Sequence, residues 1–144
     1  MLSLTRAKIN MEESRKKILY AEDDPDDREF FVDAISAIDP ALEVVLAENG
    51  VKALEYLQKL NNANEPLPCL IILDINMPYM NGKETLAKIK AENWLEHIST
   101  YILTSGANPN DKAYFNKFST EMITKPADPI KLRSVVSEML KSCE

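Results

Sequence analysis

The stretch LIILDINMPYMNG, residues 70–82, decides how this chain is read. Leu70, Ile71, Ile72 and Leu73 form an unbroken apolar run, the pattern of a central strand covered on both faces of a parallel sheet. The run stops at Asp74, and Pro78 and the Asn81-Gly82 pair then mark a turn-rich connection. A carboxylate at the end of a buried strand is costly unless it is paired, hydrated or used. The rest of the sequence has to say which.

Working outward, short apolar runs alternate with amphipathic segments. Strands are expected at 17–22, 43–48, 69–74, 99–105 and 121–125, and helices at 24–38, 51–60, 82–92, 108–118 and 128–142. Asp24-Pro25, Asn108-Pro109 and Asp128-Pro129 each pair a capping side chain with proline at the first helical position. Five strands alternating with five helices describe one α/β domain with a doubly wound parallel sheet and helices on both faces. Residues 1–15 show no strong period and are expected as a flexible N-terminal tail, leaving 16–144 as the folded domain. The last predicted helix ends two residues before the C-terminus, so no output domain is expected.

Composition excludes several functions. The chain has 144 residues, enough to bury a real core, and 45% of them are hydrophobic, which is globular rather than disordered. The apolar runs are too short to cross a bilayer and no signal-peptide pattern opens the chain, so a cytoplasmic protein without membrane contact is expected. A net charge of −6 argues against direct nucleic-acid binding, which needs a basic face. His97 is the only histidine, so a histidine-rich metal site and a Ser-His-Asp triad are excluded, and His97 is expected on the surface between a helix and a strand. Cys69 and Cys143 are expected to be two unpaired thiols in a reducing compartment.

In a doubly wound sheet all strand C-termini lie on one edge, where ligands bind. The first strand ends in Glu22, Asp23 and Asp24, the third in Asp74 with Asn76 beyond it, the fourth in Thr104 and Ser105, and the fifth in Lys125. Several carboxylates brought together repel, and a hard divalent cation with oxygen ligands and retained waters, Mg²⁺, relieves the repulsion. A metal-bound carboxylate at Asp74 is ionised and able to attack phosphorus. Lys125 and the Thr104 hydroxyl then neutralise charge on the phosphoryl oxygens. Read singly, these residues have plainer roles: Asp24 caps the first helix, Lys125 is solvated, and Thr104 and Ser105 close a strand. Four strand ends carrying the right groups in order outweigh those readings.

The segments KILYAEDDPDDR, LIILDINMP followed by NG, ILTS and ITKP together resemble the receiver domain of two-component response regulators, over residues 17 to about 142. The resemblance implies a flavodoxin-like fold with strand order 2-1-3-4-5. It implies that Asp74 is the phosphoacceptor, that Asp23 ligates Mg²⁺ directly with Glu22 acting through water, and that Asn76 offers its backbone carbonyl. Asp24 is a third acid of lesser role. Thr104 is the switch hydroxyl, Lys125 pairs with Asp74 or its phosphate, and the Lys125–Pro126 bond is a candidate cis peptide. The implied partners are a histidine kinase or histidine phosphotransfer protein and an unidentified downstream protein.

Three positions depart from the family pattern. Met122 stands where an aromatic usually precedes the lysine by three residues, KFST at 117–120 replaces a Gly-Ala pair, and Ala127 replaces a common Phe. Tyr114, Phe115 and Phe118 are candidates for an output surface, although helical spacing sends one or two of them into the core. An aspartyl-phosphate hydrolase requires a second Asp where Asn76 stands, and a calcium loop at 23–31 lacks the required Gly and Glu. A phosphorylation-independent interaction module is the remaining competitor, favoured by Met122 and opposed by the complete set of acids, Thr104 and Lys125.

Overall fold

The computed structural model describes residues 16–144; the tail expected at 1–15 lies outside them. The elements are β1 (Lys17–Ala21), α1 (Pro25–Ile38), β2 (Glu43–Ala47), α2 (Gly50–Asn62), β3 (Leu70–Leu73), α3 (Gly82–Lys90), β4 (Ser99–Thr104), α4 (Pro109–Asn116), β5 (Glu121–Thr124) and α5 (Pro129–Met139). A 3₁₀ turn at Asn93–Leu95, not expected from the sequence, joins α3 to β4, and a second at Leu140–Cys143 ends the chain. The five strands pair in parallel in the order β2-β1-β3-β4-β5, as expected.

The period of two within the strands builds two cores. Leu19, Ala21, Ile71, Leu73 and Ile102 face α2, α3 and α4, where Leu57, Leu86, Ile89 and Phe115 meet them. Ile18, Tyr20, Leu70, Ile72 and Leu103 face α1 and α5, where Phe31, Ile35, Leu132, Val136 and Met139 meet them. All four residues of β3 are fully buried, which explains its continuous apolar sequence. The caps expected at Asp24, Asn108 and Asp128 form, and Asn81, read in the sequence only as a turn, adds a fourth. Asp24 accepts from the amides of Asp26 and Asp27, Asp128 from that of Ile130, and Asn81 and Asn108 each close a reciprocal capping box.

Two expectations fail. Cys69 and Cys143 are not free thiols; they form a disulfide, with Cα atoms 5.2 Å apart across a separation of 74 residues. The cause is topological. Strand β3 starts on the sheet edge opposite its carboxylate, and α5 runs back along the sheet to end on that same edge, so Cys143 joins the core formed by Leu70 and Ile18. The Lys125–Pro126 peptide is trans, since no cis bond occurs among the described residues. The trans form, the intrinsically favoured isomer, already delivers the Lys125 side chain to the strand ends. His97 is exposed in the turn before β4, as expected. Among the described residues no helix is long and apolar enough to cross a membrane.

Candidate functional site

The site is built from the first residues beyond the strands. The amide of Glu22 donates to Ala47 O at 2.9 Å, that of Asp74 to Ala21 O at 3.0 Å, and that of Lys125 to Thr104 O at 2.8 Å. Each of these residues thus prolongs its ladder by one bond, which fixes the backbone while its side chain turns up over the sheet edge. Glu22, Asp74 and Thr104 are buried, and Asp23 is exposed.

Carboxylate oxygens of Glu22, Asp23 and Asp74 lie within 4.8 Å of one another. Glu22 Oε2 is buried without a hydrogen-bond partner in the protein. A buried, unpartnered carboxylate oxygen beside two further acids is the donor set that a hard divalent cation completes, so the residues fit such an ion. The Thr104 hydroxyl is likewise buried and unpartnered. Asp24 is occupied in capping α1 and is not one of the three clustered acids. Asn76 is exposed in the loop beyond Asp74.

Lys125 is the cationic centre. Its ammonium donates to Asp27 Oδ2 at 2.8 Å and to Glu22 Oε1 at 2.9 Å, and stands 3.5 Å from Asp74 Oδ2. Burial works against its charge, but the hydrogen bonds to Asp27 and Glu22, followed by the charges of Asp74 and Glu22, outweigh it and raise its pKa. Burial, and then the neighbouring Asp74 carboxyl, pushes the Glu22 carboxyl up to about 9 although Lys125 opposes the shift. Asp27 shows the reverse balance. Its partial burial favours the neutral acid, and the hydrogen bond from Lys125, with the adjacent Glu22 carboxyl, more than cancels that, so its pKa is lowered. Tyr20, below these acids, is pushed far up by burial and then by the charge of Glu22.

Asp27 is the functional-site residue that sequence reasoning missed. It is the third residue of α1 in a run of acids, and nothing local distinguishes it from Asp26. The available signal is the helix N-terminus, which aims first-turn side chains at the same sheet edge. Tyr79, three residues before Gly82, was also not anticipated: its φ is 66°, a left-handed conformation that bulky residues rarely adopt, and its side chain is 87% exposed.

The departures find places. Met122 is partly buried against the α2–α3–α4 core. Phe115 is fully buried, while Tyr114 and Phe118 pack against the same core, and the Tyr114 hydroxyl donates to Lys83 O at 3.0 Å. The aromatics therefore serve mainly as core. Ala127 lines a cavity of about 360 Å³ between α1 and α5, with Phe30, Phe31, Leu132 and Lys125 among its walls.

A family model for the response regulator receiver domain matches residues 18–137. Among characterised proteins, the chain is 33% identical over 97 residues to response regulator Rcp1 of Synechocystis sp., covering 67% of this chain and 66% of Rcp1. It is 35% identical over 121 residues to a protein-glutamate methylesterase/protein-glutamine glutaminase of Halalkalibacterium halodurans, covering 83% of this chain but 33% of that protein. The chain thus spans just under two thirds of the first and one third of the second. Among solved structures, the phosphorylated cyanobacterial phytochrome response regulator RcpA is similar with a TM-score of 0.79 at 31% identity, over 89% of this chain and 93% of that one. The Mn²⁺-bound form of Rcp1 is similar with a TM-score of 0.76 at 28% identity, over 88% and 92%. The chain belongs to the response regulator receiver family, a signalling domain of two-component systems that binds a divalent cation and is phosphorylated by histidine kinases.

Proposed function

We propose that this chain is a single-domain response regulator, its receiver domain spanning 16–144, that accepts a phosphoryl group on Asp74 in a Mg²⁺-dependent reaction and signals through a protein partner. The donor is the phosphohistidine of a histidine kinase or a histidine phosphotransfer protein. A carboxylate oxygen of Asp74 attacks phosphorus, an O–P bond forms, the N–P bond of the phosphohistidine breaks, and the leaving imidazole takes up a proton. Glu22, Asp23, Asp74 and the backbone carbonyl of Asn76 would hold Mg²⁺, Glu22 through water. When bound, the cation supplies positive charge to the phosphoryl oxygens.

The observation that carries this reading is the convergence on Asp74 of three groups from separate strands. These are the acids Glu22 and Asp23 clustered with it, the Lys125 ammonium 3.5 Å from its Oδ2, and, at the end of the adjacent strand β4, Thr104 with its buried, unpartnered hydroxyl. An unpaired buried hydroxyl is costly unless a second state gives it an acceptor, and a phosphoryl group on Asp74 is such an acceptor. Lys125 turns to the same group and Thr104 follows, so the added charge biases the domain between two conformations. The domain catalyses its own phosphorylation and slow dephosphorylation and no other reaction. We place it in the cytoplasm with its kinase, without nucleic-acid or membrane contact, as its net charge of −6 favours.

The test is intact mass after incubation with acetyl phosphate and Mg²⁺, beside Asp74→Asn and an EDTA control. A gain of one phosphoryl group, absent from both controls, supports the reading. No gain in folded protein that binds Mg²⁺ refutes it in favour of a phosphorylation-independent interaction module.

A further inference from the structure

The ammonium of Lys125 has three N–H groups and is met by three carboxylates. Its two hydrogen bonds go to Asp27 at 2.8 Å and to Glu22 at 2.9 Å, and the phosphoacceptor is third at 3.5 Å. Asp27 differs from the other two acids in standing outside the cluster able to hold a cation. Its position is fixed from below, because Asp24 accepts from the amides of both Asp26 and Asp27 and so sets the first turn of α1. The pair is shielded at its cationic end: the side chain of Lys125 is 11% exposed, while that of Asp27 is 32% exposed.

We infer that Asp27 is a positioning residue, an anionic competitor that retains Lys125 in the unphosphorylated domain and opposes its transfer to the phosphoryl group on Asp74. The inference rests on the receiver chemistry proposed above. A divalent cation at the cluster of Glu22, Asp23 and Asp74 would compete with the ammonium for Glu22, through the water that links them. Asp27 is then the remaining anion that holds Lys125 away from Asp74. Lys125 must choose between the Asp27 carboxylate and the phosphoryl oxygens, so every gain in the resting pair is subtracted from the affinity of the site for a phosphoryl group. Asp27 also adds a like charge to a site that must accept an anion. The residue therefore sets how readily the domain enters, and how long it keeps, the phosphorylated state.

The experiment measures binding of beryllofluoride, a phosphoryl analogue, to the full chain with saturating Mg²⁺ by calorimetry and ¹⁹F NMR. Asp27→Asn and Asp27→Ser both keep a polar side chain without the charge, and each is expected to bind about tenfold more tightly than the wild type. Asp27→Glu, which restores the charge, is expected to return within about threefold of the wild type. Asp26→Asn removes the neighbouring charge on the same turn without touching Lys125, and is expected to change affinity less than about twofold. Circular dichroism melts confirm folding for each variant. Equal or weaker binding by the folded neutral variants overturns the inference, as does an equal gain in Asp26→Asn, which assigns the effect to overall charge. Failure of the wild type to bind the analogue refutes the receiver reading itself, and the inference with it.

Discussion

Gly82 is the residue through which helix α3 touches the backbone of Asp74, the proposed phosphoacceptor, and replacing it with alanine tests how rigidly Asp74 is held. A Cβ on Gly82 would stand 2.1 Å from the carbonyl oxygen of Asp74, 2.9 Å from Ile75 Cα and 3.0 Å from the carbonyl carbon of Asp74. All three atoms are backbone, so no side chain can rotate away. Carbon–oxygen contacts settle near 3.3 Å, so the two segments must separate by about 1 Å. Neither side gives easily. The helix start is tied by the amide of Gly82 to Ile75 O at 2.8 Å and by the Asn81–Glu84 capping box, while the amide of Asp74 is tied to Ala21 O at 3.0 Å. Overpacking of this kind costs about 1–3 kcal/mol, and a displacement near 1 Å at a reacting atom lowers its rate by about 100-fold. The assay is urea unfolding together with a mass-spectrometric time course of phosphorylation by acetyl phosphate and Mg²⁺. Gly106→Ala is the control, because a Cβ there meets nothing within 4 Å, and it should leave both measurements unchanged. A Gly82→Ala protein with the wild-type urea midpoint and phosphorylation rate would refute the reasoning and show that the Asp74 loop has slack.

Other outcomes follow from the same geometry. Thr104→Val removes a buried hydroxyl that has no partner in the resting domain; stability in urea should rise by about 1 kcal/mol while beryllofluoride binding weakens. The carboxyl of Glu22, raised from 4.5 to about 9, contributes stability that is full below its unfolded value and is lost as pH rises toward 9. Asp27 is lowered from 3.8 and Lys125 raised from 10.5, so neither titrates between those limits. Melting temperature in EDTA should therefore fall between pH 4.5 and about 9, and saturating Mg²⁺ should flatten the profile; a flat profile in EDTA contradicts the burial of Glu22. The Cys69–Cys143 bond closes a separation of 74 residues, so Cys143→Ser, or reduction, should cost about 4 kcal/mol in urea unfolding. Native protein kept free of reductant should resist alkylation, and labelling of both cysteines would remove the bond.

What the sequence displayed was information carried within single elements. The apolar run at Leu70–Leu73 specified a strand covered on both faces, and the Asp-Pro and Asn-Pro pairs placed three helix starts. Strand ends are readable because a parallel sheet sends all of them to one edge; once the strands were assigned, Glu22, Asp23, Asp74, Thr104 and Lys125 had to meet. What stayed hidden needed a second coordinate. Asp27 is bonded to a lysine 98 residues away, and only the angle at which α1 leaves the sheet separates it from Asp26. The close approach of Gly82 to Asp74 depends on how α3 is seated, whereas Asn81-Gly82 in the sequence reads simply as a turn.

The cysteines show where the same edge argument was available and was applied to one edge alone. If every strand ends on the edge that holds Asp74, every strand also begins on the opposite edge, and each helix returns the chain there. Cys69 lies just before β3 and Cys143 just after α5, so both fall on that opposite edge by topology. The remaining question was lateral position. It is answered by the packing of Leu132, Val136 and Met139 against Ile18, Leu70 and Ile72, which seats α5 across the central strands and so brings its end over the start of β3. The two edges thus divide the work: one gathers the clustered acids and Lys125, and the other is closed by a covalent bond. A prediction distinguishes this division from coincidence. Reducing the disulfide should lower the urea midpoint while leaving beryllofluoride affinity within about twofold of the oxidised protein, because separate sites add independently. A large loss of affinity on reduction would mean that the position of α5, and with it Lys125 at the loop that precedes it, depends on the bond.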